Sequence, residues 1–175
     1  IQFLLEVLNG FKDLQWTKRP VVYYSGFDSK VFFTHHWGSG MATPFGSYNV
    51  IGTSNPDYGL TVHENTHMLQ YLNYGGSSSF ISEGFARYTE ALATDPEMNN
   101  RATYNYLAAG KLFNLKEMLN FNIGQTGPQT DIGYPAAGSF IGFIADKYGK
   151  KRIKGLFIDP NLANFEKGLE EIEEE

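Results

Sequence analysis

The apolar pattern of this chain changes its period near residue 54, and no other feature limits its fold as strongly. Before that point, "VVYYS", "VFFTHHW" and "SYNVIGT" are β-branched and aromatic runs, which predict three strands. After it, apolar residues recur at helical spacing. Strands followed by helices favour an α+β fold, in which a small N-terminal mixed sheet packs on a helix and a mainly helical lobe follows.

Helical spacing is also present at the start of the chain, where residues 1–14 predict an amphipathic helix. The Gly-rich stretch "GSGMATPFG" predicts a turn ahead of the third strand. A long loop is predicted over residues 121–134, and the helix after it has Pro135 in its first turn. Three further helices are predicted, in "GLTVHENTHMLQYLNYGG", "FISEGFARYTEALA" and "NRATYNYLAAGKLF".

Length and charge limit the organisation of the chain and its partners. Its 175 residues predict a single domain, with a sheet lobe over residues 1–73 and a helical lobe over residues 74–175. A net charge of -5 argues against nucleic acid as a partner, because no basic face could neutralise phosphates. No apolar run approaches the roughly 20 residues that span a bilayer, so no membrane span is expected. No pattern predicts the oligomeric state.

The opening residues "IQFLLEVLNGF" lack the basic start and the small-residue cleavage site of a secretory signal. A start of this kind is typical of a trimmed or mature form. Location outside the cytoplasm of a bacterium, or secretion, is therefore a hypothesis that the opening residues do not test.

Two histidines four residues apart, His63 and His67, flank Glu64 in "HENTH". On an α-helix, residues at this spacing lie on one face, so both imidazoles can bind one metal ion. Glu64 is then placed to act on a water that the metal activates, as in an HExxH helix. The chain has no cysteine, so any metal must be held by histidine, aspartate or glutamate.

The same residues also have a purely structural interpretation. Thr61 and Glu64 match the spacing of a capping box, in which Glu64 would bond the backbone at a helix start. His63 and His67 would then be partly buried histidines with ordinary hydrogen bonds. The sequence alone leaves both interpretations open.

Zinc in a catalytic site needs a third protein ligand and one open position. Glu83 can supply that ligand, because the chain between it and His67 has room for a Gly-Gly turn and a returning helix. Glu90 lies seven residues later on the same helical stripe, where it could accept the free N–H of a ligand histidine. Alternatively, Glu83 forms a surface ion pair with Arg87.

These segments together resemble a known family. "HENTHMLQ" followed by "ISEGFARYTE" resembles the gluzincin metallopeptidases, and "EGFARYTE" is similar to the aminopeptidase-N-like signature E-G-F-A-x-Y-x-E. With "YPAAGSFIGFIADKYG" and "NFEKGLEE", the chain resembles small bacterial peptidase-MA-like domains over roughly residues 46–170. The resemblance implies a thermolysin-like α+β fold around an HExxH helix.

The resemblance also implies roles for single residues. His63, His67 and Glu83 would bind one Zn²⁺ per chain, Glu64 would be the general base, and Tyr134 would donate to the tetrahedral oxyanion. Local chemistry is consistent with the last role, because a tyrosine before Pro135 at a helix start would be extended, with its phenol near the positive helix end. A tyrosine packed under the loop remains an alternative.

The chain departs from the family at several residues. The spacer between His67 and Glu83 is shorter than in thermolysin or aminopeptidase N, and Ser82 stands where asparagine is usual. No segment matches the G-x-M-E-N stretch that holds a substrate's free amine, since Gly40 and Met41 are not followed by an acid. These departures favour an endopeptidase over an aminopeptidase.

Three functions are therefore open, and they share this one site. The first is zinc-dependent hydrolysis of peptide bonds in a peptide or protein substrate. The second is a gluzincin-shaped binding or structural module without turnover. The third is hydrolysis of another amide, such as a cell-wall peptide, which the sequence cannot separate from the first.

Two further expectations concern the predicted strands. "SYNVIGT" (residues 47–53) is expected at the sheet edge beside the HExxH helix, where its unpaired side could bind an extended peptide. His35 and His36 are adjacent in a predicted strand, so they point to opposite faces and cannot chelate one ion together. A structural role for both is the favoured interpretation.

Overall fold

A computed structural model of the chain describes residues 21–35, 39–42, 48–51, 58–123 and 127–158. The predicted first helix, residues 1–14, lies outside the described residues. The strands are β1 (Val21–Tyr24), β2 (Gly40–Ala42) and β3 (Tyr48–Ile51). The helices are α1 (Phe27–Thr34), α2 (Tyr58–Asn73), α3 (Ser79–Ala93), α4 (Met98–Ala108), α5 (Leu115–Met118), α6 (Pro128–Tyr148) and α7 (Lys150–Ile158).

The described part is therefore mainly helical, with one small mixed sheet near its start. The sheet has the strand order β1-β3-β2. Strand β1 runs parallel to β3, with Val21 opposite Tyr48, and β2 runs antiparallel to β3, with Gly40 opposite Ile51. Strand β2 packs against α2. The predictions of strands in "VVYYS" and "SYNVIGT" are confirmed.

The expected position of β3 at the sheet edge is wrong, because β1 and β2 pair with its two sides. Among the described strands, the edge strand beside α2 is instead β2, inside the stretch "GSGMATPFG" that was predicted as a turn. The order of strands in a sheet depends on which segments pair at a distance, and the run from Gly40 to Ala42 is too short to show a period of its own.

The prediction of a strand in "VFFTHHW" is also wrong. Residues 27–34 form α1, which ends at His35 in a left-handed conformation with φ of 53°. The helical turn directs Lys30 inward and leaves Phe32 and Phe33 exposed. A short apolar run does not distinguish a helix from a strand by periodicity, which explains the error. His35 is exposed, and His36 lies outside the described residues.

The start of α6 differs from the prediction as well. Pro128, not Pro135, occupies its first turn, so Tyr134 and Pro135 lie inside the helix and the loop before it is shorter than expected. Either proline fits a first turn, where its missing N–H costs nothing. Inside the helix, Pro135 has no N–H to donate to the carbonyl of Asp131. Helix α4 ends at Ala108, ahead of Gly110 with φ of 63°.

The core lies between α3 and α6, and α2 and α7 complete it. Phe80, Phe85, Ile141 and Ile153 are fully or almost fully buried in it. None of the helices in the described ranges is long and apolar enough to cross a bilayer.

Gly84 lies where α3 and α6 approach each other closely. A Cβ on Gly84 would lie 2.7 Å from the backbone carbonyl oxygen of Ala137. That oxygen cannot move away without shifting α6, so any side chain here would separate the two helices.

We predict opposite effects of alanine at two helical glycines. Gly84→Ala should lower the free energy of unfolding by about 2 kcal/mol, because it overpacks the α3–α6 contact. Gly155→Ala in α7 should raise it by about 0.5–1 kcal/mol, because open space surrounds Gly155 and alanine favours a helix. Urea denaturation of both variants measures the difference, and a stabilised Gly84→Ala variant would contradict the close contact.

Candidate metal centre

Two imidazoles from α2 and one carboxylate from α3 converge on one point. Nε2 of His63 lies 3.1 Å from Oε2 of Glu83, and Nε2 of His67 lies 3.2 Å from the same oxygen. The two Nε2 atoms are 3.2 Å apart. The three predicted ligands thus form a nearly equilateral triangle, and both histidines are buried.

This triangle has the dimensions of a zinc site. Ligand atoms about 2.0–2.1 Å from a tetrahedral zinc are separated by about 3.3–3.4 Å, close to the observed sides. Two imidazole nitrogens and one carboxylate oxygen are also ligand types that zinc accepts. Among the described residues, His63, His67 and Glu83 form the one group of at least three such side chains that could hold a metal ion.

The helix that carries both histidines begins before the motif. Because α2 runs from Tyr58 to Asn73, Thr61 and Glu64 both lie inside it, and Thr61 is not an N-cap. The capping-box interpretation is therefore excluded. All residues from Val62 to Gln70 are buried, so the polar side chains of this stretch need hydrogen-bond partners from neighbouring elements.

Glu90 supplies the partner of His63. Its Oε2 atom lies 3.0 Å from Nδ1 of His63. Arg87 donates to both carboxylate oxygens of Glu90, at 2.8 and 2.9 Å. Arg87 thus forms its ion pair with Glu90. The alternative interpretation, an ion pair between Arg87 and Glu83, is wrong. With Nδ1–H held by Glu90, Nε2 of neutral His63 presents its lone pair to the ligand triangle.

A second pair of side chains holds His67. The hydroxyl oxygen of Ser82 lies 3.4 Å from Nδ1 of His67. Gln70 contacts the same hydroxyl, donating from Nε2 at 2.9 Å and accepting at Oε1 at 3.1 Å. Because Ser82 donates its proton to Gln70, its lone pairs face Nδ1–H of His67. Sequence reasoning missed this role of Gln70, although its spacing of three from His67 on one helix could have suggested it.

Glu64 lies beside the triangle and not in it. Burial raises the pKa of Glu64, and the nearby charges of His63, His67 and Lys30 oppose that rise. Lys30 itself is fully buried in α1, where burial lowers its pKa and Glu64 acts in the opposite direction. Sequence reasoning missed Lys30, because it placed this residue in the connection between two predicted strands.

Tyr134 reaches the site from the middle of α6. Its ring centre is 6.1 Å from that of His63, and its hydroxyl is close to the carboxylate of Glu83. Burial and the negative charges of Glu83 and Glu64 raise the pKa of Tyr134, which keeps the phenol protonated as a donor. The expectation that Tyr134 is extended at a helix start is wrong, because α6 begins at Pro128.

The charges of the site favour a second proton on His63, at Nε2, when no metal is bound. Burial opposes the charged imidazole, but hydrogen bonds to Glu83 and Glu90 outweigh it and raise the pKa of His63 to about 10. For Glu83, burial is likewise outweighed by His67 and His63, which hold the pKa of this carboxyl far below its usual range. A metal ion and this proton would compete for Nε2 of His63.

Comparison of the chain with protein-family models, with curated proteins and with solved structures finds no match. The functional argument therefore rests on the geometry of the site and on the sequence motifs.

We predict that zinc binding releases about one proton per chain at pH 8, because the metal displaces the proton of His63. The dissociation constant for zinc should fall about tenfold per pH unit between pH 7 and pH 9. Calorimetric titration in two buffers with different ionisation enthalpies counts the released proton.

The Glu90→Gln variant is the control for that titration, because it removes a carboxylate that raises the pKa of His63 and should reduce the proton release. The metal-free protein provides a second check. The pKa of His63 rises on folding from 6.5 to about 10, so its contribution to stability is present below pH 6.5 and lost as pH rises through 10. Zinc affinity independent of pH in the wild type would contradict the charged His63.

Proposed function

We propose that this chain is a zinc-dependent hydrolase of peptide bonds, an endopeptidase in preference to an aminopeptidase, with a gluzincin-like arrangement. The observation that carries the proposal is the triangle of His63, His67 and Glu83 with the carboxylate of Glu64 beside it. A site that held a structural zinc would use four protein ligands. Three ligands and an adjacent free carboxylate are instead the composition of a hydrolytic site.

Each residue of the site has a distinct task in this proposal. Zinc, when bound, acts as a Lewis acid that polarises the scissile carbonyl and acidifies water. Glu64 accepts the proton of the attacking water and delivers it to the leaving amine nitrogen. Tyr134 donates a hydrogen bond to the oxyanion, from a hydroxyl that lies at Glu83 in this structure. Glu90 and Ser82 orient the two imidazoles.

The substrate would be an extended peptide bound along β2. Within the described residues, β3 covers one side of this strand, and α2 packs against it. Pairing by strand addition would place the peptide backbone next to the metal-bearing helix. The strand offers Gly40, Met41 and Ala42 but no carboxylate for a free amine, which supports internal cleavage. The role proposed for "SYNVIGT" thus belongs to β2.

We predict that Glu64→Gln retains zinc and lowers turnover of a mixed peptide library by about 10²–10⁴-fold, because glutamine fills the same volume but accepts no proton. Zinc content by elemental analysis and the cleavage rate are measured on the same preparation. Glu97→Gln, at an exposed carboxylate before α4, is the matched control and should change neither.

The same experiment separates the peptidase from a binding module. About one zinc per chain with chelator-sensitive cleavage supports the enzyme. Bound zinc without cleavage of any peptide in the wild type would favour the binding module, and equal rates for wild type and Glu64→Gln would remove Glu64 as the base.

We predict that Tyr134→Phe lowers kcat by about 10–100-fold, because one donor to the oxyanion is lost. KM should change little, since the ground-state carbonyl makes a weaker bond to the same hydroxyl. Tyr104→Phe, at an exposed tyrosine of α4, is the control. An unchanged kcat would assign Tyr134 to orienting Glu83 alone, and a lower zinc affinity in the same variant would support that assignment.

A further inference from the structure

Gly40, the first residue of β2, lies directly against the side chain of Glu64. A Cβ on Gly40 would lie 2.8 Å from Cγ and 2.7 Å from Cδ of Glu64, and closer still to Oε1. Real Cβ atoms essentially never approach another atom within 3.0 Å. All three of these atoms lie beyond the Cβ of Glu64, so the conflict is with the acidic side chain and not with the backbone of α2.

Backbone conformation does not explain glycine at this residue. The glycines with positive φ in the described residues are Gly75, Gly110, Gly127 and Gly149, and Gly40 is not among them. Alanine could therefore adopt the backbone of Gly40 without strain. The contact with Glu64 is the steric reason for a residue without a side chain here.

We propose that Gly40 is a positioning residue for Glu64: the backbone of β2, without a side chain at this residue, sets where the carboxylate lies. The inference rests on the proposed function, because Gly40 would set the position of the general base, Glu64. Glu64 is buried, and its three side-chain torsions would otherwise allow several directions. The close backbone of β2 removes the directions that lead into the strand.

This contact also ties substrate binding to the base. Among the described strands, the one that lies against Glu64 is the same β2 whose side away from β3 would bind the peptide. A peptide paired with β2 would lie at a fixed distance from the carboxylate, because both contact one short strand. Reactions of this kind lose rate when a reacting group moves by about 1 Å.

A double-mutant cycle tests the contact in the metal-free protein. Gly40→Ala should lower Tm by about 5 °C in the wild-type background, because the new methyl group overpacks against Glu64. In a Glu64→Ala background, where Cγ, Cδ and Oε1 are absent, the same substitution should change Tm by less than about 2 °C. Gly76→Ala, at a loop glycine with open space around it, is the control and should be neutral in both backgrounds.

Activity and metal binding complete the test. In Gly40→Ala, kcat at saturating peptide should fall at least about tenfold, while the dissociation constant for zinc stays within about threefold and the visible spectrum of the cobalt-substituted protein is unchanged. A purely structural role would change zinc binding and kcat together. If Gly40→Ala fails to fold, recovery of folded protein in the Gly40→Ala, Glu64→Ala double variant supports the contact.

Two outcomes would overturn the inference. The first is an equal loss of Tm in both backgrounds, or failure of both to fold, which would mean that Glu64 is not what the methyl group meets. The second is wild-type kcat in Gly40→Ala. A wild-type protein without turnover would instead count against the peptidase, and the thermal cycle would still decide whether Gly40 holds Glu64 in place.

Discussion

The burial of polar side chains on α2 is the constraint on which the rest of the structure depends. Six of the nine residues from Val62 to Gln70 are polar or charged, and all nine are buried. A buried polar group without a partner costs about 1–3 kcal/mol, so α2 can lie here only where neighbours supply partners. Helix α3 supplies partners for four of the six, from two pairs of residues seven apart, Ser82 with Thr89 and Glu83 with Glu90.

One helix therefore serves both stability and the site. The polar stripe of α3 faces α2, where Thr89 and Thr66 hydroxyls lie 2.6 Å apart, and its Gly84 lies against α6. Helix α6 in turn carries Tyr134 to the carboxylate of Glu83. The ligand triangle is thus held by contacts between helices outside the triangle itself, which reduces the ordering that metal binding would require.

The sequence was informative where spacing along one helix decides the outcome. A separation of four groups His63 with His67, and a separation of seven places Glu83 and Glu90 on one stripe. It was misleading where the outcome depends on distant segments. The order of the sheet, the helix around Lys30 and the partner of Arg87 are set by contacts between elements, and Gln70 and Ser82 meet only after α2 and α3 have packed.

The two acids of the proposed site, Glu64 and Glu83, have pKa values shifted in opposite directions because their surroundings differ. Glu83 lies against both imidazoles, which hold its pKa far below the usual range and keep it an anion suited to a metal. Glu64 lies against the bare backbone of Gly40, where burial raises its pKa. A carboxylate that takes a proton and returns it needs a raised pKa, and a permanent ligand needs a lowered one. In the proposed mechanism, the base is therefore the acid that α2 places against the sheet, and the ligand would be the one that α3 places between the histidines.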